Sequence, residues 1–66
     1  MNIVNGWSKA ELNRISYNLV TLHKQIAKSP ITMRQAKLAL LSVPCHDIGK
    51  YVWHDLIRMA FNFKEV

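Results

Sequence analysis

Ser42–Phe63 reads SVPCHDIGKYVWHDLIRMAFNF, and the fold turns on how this stretch is taken. It holds the only cysteine, two of the three histidines and four of the six aromatic residues of the chain. Ile48, Val52, Leu56, Met59 and Phe63 recur at helical spacing. Trp53, Ile57, Ala60 and Phe61 widen that stripe, leaving a narrow polar strip through Asp47, Lys50, His54 and Arg58. A helix apolar on so many sides has to be covered on most of them. Proline is favoured in a first helical turn, so the spacing predicts a helix over 45–61 that opens after Pro44, with Asp47 near its positive end. Gly49 costs that helix about 1 kcal/mol against alanine, and is expected to allow a neighbouring helix to come close.

The remaining residues supply the cover. Asn5-Gly6 is a turn signal. Ser8-Lys9-Ala10-Glu11 is a capping box, in which hydroxyl and carboxylate each satisfy a free amide at a helix start, and Trp7 is placed to staple back onto Leu12. Leu12, Ile15, Leu19, Leu22 and Ile26 then alternate steps of three and four, flanked by Val20, His23 and Ala27, which predicts a first helix over 9–27. Ser29-Pro30 ends it, because the residue before proline avoids helical geometry. Thr32-Met33-Arg34-Gln35 is a second capping box, opening a helix over 33–41 with Met33, Ala36, Leu40 and Leu41 on its buried side. β-branched residues are scattered and nowhere alternate, so no strand competes. The expected architecture is all-α: a single three-helix domain over 1–66, or a helical homodimer built from it.

Sixty-six residues lie near the lower limit for a domain without staples. A lone cysteine permits no internal disulfide and has no CxxC partner for zinc, which suggests a reducing, cytoplasmic setting. No apolar run approaches the roughly 20 residues of a membrane span, and the first residues, MNIVNGWSK, lack the pattern of a signal peptide. The net charge of +5 is concentrated: between Leu12 and His46 there are five basic residues and no acid. Lys24 and Lys28 suit the end of the first helix, where cations are favourable, whereas Arg34 and Lys37 stand in the first turns of the second, where the dipole opposes them. These four are candidate contacts to phosphates or to an acidic protein surface. Trp53, Ile57, Phe61 and Phe63 are candidate protein-interface residues, because aromatic side chains are enriched at contacts. A helix-turn-helix reader is disfavoured, since the third helix offers Ile, Trp, Leu and Phe where base edges need Arg, Asn or Gln.

The string His46-Asp47-Ile48-Gly49-Lys50, following Ala39-Leu40-Leu41, resembles the metal-binding signature of the HD-domain phosphohydrolases. In that family the doublet binds a divalent metal together with a histidine from an earlier helix and an aspartate from a much later one, and the metal activates water against a phosphoester. The resemblance covers five residues of 66 and carries over to His46 and Asp47 as metal candidates. His23 lies upstream but nearer than the family places its first histidine, and no aspartate follows Asp55, eight residues on from Asp47. Cys45 and His46 do not read as a nucleophile pair, since adjacent helical positions point about 100° apart.

The expected function is therefore non-enzymatic binding without a cofactor: a regulator or inhibitor docking on a larger protein through its C-terminal helix, with basic charge assisting. The alternative is a dimeric nucleic-acid-binding protein using Lys24, Lys28, Arg34 and Lys37. An HD-type metal-dependent phosphohydrolase fragment is the remote third.

Overall fold

The structure is a computed structural model that describes residues 3–26 and 30–63. Among them the chain forms α1 (Lys9–Ile26), α2 (Met33–Leu41), a 3-10 helix (Cys45–Lys50) and α3 (Trp53–Asn62). The expected all-α class is what is found, and α2 has the bounds its capping box and the Ser42-Val43-Pro44 break dictate. Both halves of that box are made: Gln35 N donates to Thr32 Oγ1 at 3.1 Å, and Thr32 N donates to Gln35 Oε1 at 2.8 Å. At the start of α1, Glu11 N donates to Ser8 Oγ at 3.2 Å. The expected ending of α1 at Ala27 lies outside the described residues.

The third expected helix is divided in two. A 3-10 turn ends at Lys50, Tyr51 and Val52 adopt extended backbone (φ/ψ −107/142° and −84/154°), and α3 begins anew at Trp53. Local sequence favours the break, because Gly49 and, after Lys50, the aromatic Tyr51 and the β-branched Val52 make a weak helix. Packing favours it as well. A straight helix over 45–61 would run about 25 Å, well beyond the roughly 14 Å of α2, the helix against which α3 packs most. With the break, Leu56, Ile57 and Ala60 are buried while Val52 turns outward at 61 % exposure, so the stripe read through Val52 is not one continuous face.

The core is assembled at small residues. Ser16, Ala36, Ala39 and Ala60 are all fully buried, and α2 packs against both α1 and α3. Side chains this small allow helices to pack closely, and Leu19, Leu40 and Leu56 are buried as fully in the same core. This choice of contact shifts the inner face of α1. Ser16, Leu19, Val20 and His23 are its buried residues, Leu12, Ile15 and Leu22 are only partly covered, and Ile26 is 49 % exposed. On α2, Ala36, Ala39 and Leu40 are buried, while Met33 lies at the surface.

The segment before α1 closes the far end of this core. Asn5 and Gly6 have φ of 53° and 81°, the two positive values of a type I′ turn, and Trp7 N donates back to Val4 O at 3.0 Å. The turn places Trp7 inside the protein at 2 % exposure, where its indole Nε1 donates to Val43 O at 2.7 Å. Asn5 Nδ2 donates to Leu41 O and Cys45 N donates to Asn5 O, each at 2.7 Å. Trp7 is thus a core residue held by the α2–3-10 connection, more than the local staple its position suggests.

Candidate functional site

The bend at Tyr51–Val52 opens a cleft between α1 and the start of α3, with a volume of about 400 Å³. Arg14, Ile15 and Asn18 line it from α1, and Ile48 and Gly49 from the 3-10 helix. Tyr51, Trp53 and Leu56 complete it on the third side. Ile15, Ile48 and Leu56 also touch the core, so the cleft has an apolar floor continuous with the interior. Its aromatic residues are available: Tyr51 is 40 % and Trp53 41 % exposed. Arg14 is exposed and pairs with no acid among the described residues. A Cβ built on Gly49 meets nothing within 4 Å, so this glycine leaves open space in the cleft wall and no neighbouring helix presses on it, contrary to the expectation from sequence.

Of the expected interface residues, Trp53 alone belongs to this cleft. Ile57 is a core residue at 8 % exposure, buried with Leu56 and Ala60 on the inner face of α3, and it is not surface. Phe61 and Phe63 lie at the opposite end of α3. The Phe61 ring is 55 % exposed, with its centroid 5.8 Å from that of His23, and Gln35 Nε2 donates to Phe63 O at 3.0 Å. The last turns of α1 and α3 and the first turn of α2 therefore meet. Lys24 and Arg34 belong to that end, Lys37 stands midway along α2, and Lys28 lies outside the described residues. Lys24 and Arg34 are exposed and Lys37 is half-buried, and none of the three pairs with an acid among the described residues. Lys24 and Arg34 of the basic cluster thus share one end of the described structure with the two phenylalanines.

The HDIGK string forms the 3-10 turn. Lys50 Nζ stands 3.0 Å from Asp47 Oδ1, and His46 Nε2 stands 3.8 Å from the same oxygen. The bond from Lys50 holds the Asp47 carboxyl below its usual range, against the opposing pull of partial burial. Among the described residues no group of three or more His, Cys, Asp or Glu side chains comes together in a way that could hold a metal ion. His23 is buried within α1, and its Nδ1, like Ser16 Oγ, has no hydrogen-bond partner among the described residues. Cys45 donates its thiol to Glu11 Oε1 at 3.0 Å. That bond, then desolvation and the carboxylate's charge, push the thiol pKa up, so Cys45 is held as the poorly nucleophilic protonated form.

Sequence reading missed Arg14, Asn18 and Tyr51 as site residues. Arg14 and Asn18 are one turn apart beside the α1 stripe, but nothing in their spacing reveals the bend that sets Tyr51 and Trp53 opposite them. In comparisons with known proteins, no family model, curated protein or solved structure matches the chain.

Proposed function

We propose that this chain is a small non-enzymatic binding protein that docks on a larger protein, as a regulator or inhibitor does, through the cleft between α1 and α3. The observation that carries this reading is that Arg14, Tyr51 and Trp53 meet around one apolar-floored cleft while at least partly exposed. Trp, Tyr and Arg are the residue types that dominate binding energy at protein interfaces, and they do so where an apolar pocket lets the partner exclude water. The cleft volume of about 400 Å³ falls in the range of roughly 300–1,000 Å³ that accepts a ligand or an anchoring side chain.

A second reading, nucleic-acid binding, is supported by the opposite end. There Lys24 in the last turn of α1 and Arg34 in the first turn of α2, with Lys37 further along α2, are carried by helices that meet the last turn of α3, where Phe61 is exposed. Phosphates and bases are bound by cations and aromatic rings in combination. One comparison separates the two readings. Wild-type chain, an Arg14→Ala/Trp53→Ala variant and a Lys24→Ala/Arg34→Ala/Lys37→Ala variant are each immobilised, and the proteins retained are purified and rebound singly. Docking through the cleft predicts a stoichiometric protein partner lost only with the first variant. A salt-sensitive shift of generic DNA or RNA, lost only with the second, assigns the function to the basic end.

A further inference from the structure

Resting on the reading of the cleft as a docking site, we infer that its occupant is an acidic peptide segment of a partner protein, one that sets an apolar side chain beside a carboxylate. The cleft supplies a matching pair of features. Ile15, Ile48 and Leu56 make the floor and Trp53 and Tyr51 an aromatic wall, which suits one aliphatic or aromatic anchor. Arg14 and Asn18, on the same side of α1, bring a guanidinium and an amide to the rim.

The charge around this rim is uncompensated. Asp47, the acid nearest in sequence to the cleft residues Ile48 and Gly49, is already engaged by Lys50 at 3.0 Å. Asp55 is exposed in the first turn of α3, where it complements the helix dipole, and it does not line the cleft. Glu11 is taken by the Cys45 thiol. Among the described residues the guanidinium of Arg14 is thus left without a carboxylate, and its planar fork is built to take one with two parallel bonds.

Three other occupants fit less well. A helix laid along a groove needs anchors spread over two or more turns, and α1 lines this cleft only from Arg14 to Asn18, little more than one turn. Nucleic acid would find aromatic rings here but a single cation for its backbone. A second copy of the chain would bring another net charge of +5 against the first.

The test is selection of short random peptides displayed on phage against the folded full chain, with Gly49→Leu as the blocking variant and Arg14→Glu as the charge variant. Leucine at position 49 starts from open space and adds its side chain at the lining of the cleft, and Arg14 has no acidic partner to lose among the described residues, so both variants should keep the wild-type circular dichroism and melting curve. Enriched peptides are expected to pair Leu, Ile, Phe or Trp with Asp or Glu within a residue or two. Synthetic versions should blue-shift Trp53 emission and lose about tenfold or more in affinity with either variant. Peptides that Gly49→Leu blocks but that carry no acid, and bind Arg14→Glu equally well, leave the docking site standing and overturn its acidic occupant. Enrichment that survives Gly49→Leu, or none at all, overturns both. A dimer in light scattering that Gly49→Leu dissociates gives the cleft to a second copy, and an oligonucleotide shift that Gly49→Leu abolishes gives it to nucleic acid. Either result also overturns the inference.

Discussion

Trp7 and Trp53 are the two tryptophans of the chain, and their surroundings differ in nearly every physical respect. Trp7 is 2 % exposed, its indole nitrogen bonded to Val43 O, in a clasp where Asn5 bonds to Leu41 and Cys45. Trp53 is 41 % exposed and lies against a cleft that none of the described residues fills. The first spends its ring on making a small domain cohere, and the second leaves its ring available. A residue type enriched both in cores and at interfaces is sorted here by the backbone around it: a type I′ turn folds one ring inward, and a helix break presents the other.

The largest expected effect tests this contrast directly. A single core in a domain of this size supplies about 3–5 kcal/mol of stability. Trp7→Ala removes a fully buried ring, at a cost of about 3–5 kcal/mol, and should leave the chain largely unfolded in a urea or thermal titration followed by circular dichroism. Trp7→Phe keeps most of the ring but strands a buried carbonyl at Val43, costing about 1–3 kcal/mol. Trp53→Ala should change stability by about 1 kcal/mol or less. Equal losses at the two positions would break the comparison.

The two glycines sharpen it at smaller scale. Gly6 sits at φ 81° with its Cβ position 3.5 Å from Cys45 Cβ, so Gly6→Ala should destabilise by about 1–2 kcal/mol through left-handed strain. Gly49 has no positive φ and an open Cβ position, so Gly49→Ala should be neutral or stabilise by up to about 1 kcal/mol, because alanine restricts the unfolded chain. Opposite signs in chemical denaturation are the expected outcome.

The smallest effect lies in the thiol beside the clasp. Bonding to Glu11 raises the Cys45 pKa, so the stabilisation from this bond is complete below the unfolded thiol pKa of about 8.5 and is lost as pH rises through the higher folded value. Reaction with an aromatic disulfide reagent near pH 8 should be slower than for a free cysteine, and Glu11→Gln should accelerate it. An unchanged rate in that variant would mean that access, and not the carboxylate, limits the thiol.

Much of the helical frame was legible in the amino-acid order because it depends on local rules. Thr32 and Gln35 announce α2, Ser8 and Glu11 announce α1, and Pro44 closes the connection before the 3-10 helix. The features that periodicity missed depend on size and on distance. Counting apolar residues put Leu12 through Ile26 on the inner face of α1, yet packing buries Ser16 and leaves Ile26 outside. The break at Tyr51–Val52 has only weak local signals, and the mismatch between a short α2 and a long unbroken third helix appears only once the helices are packed. The candidate site inherits that blindness: Trp53 was recognisable as an interface residue, but Arg14 and Tyr51 became its companions through the bend alone.

The clasp also bears on the order of folding. The bonds from Asn5 to Leu41 and from Trp7 to Val43 each join residues 36 positions apart, whereas the helices are built from neighbours. Closing a loop of that length carries an entropic cost that must be met before its contacts contribute. The hydrogen bonds of α1 and α2 need only neighbouring residues, but during synthesis the indole of Trp7 has no carbonyl to bond until Val43 has been added. The bonds that tie residues 5–7 to residues 41–45 therefore form only once both parts of the chain are present, which places them late in the order of folding.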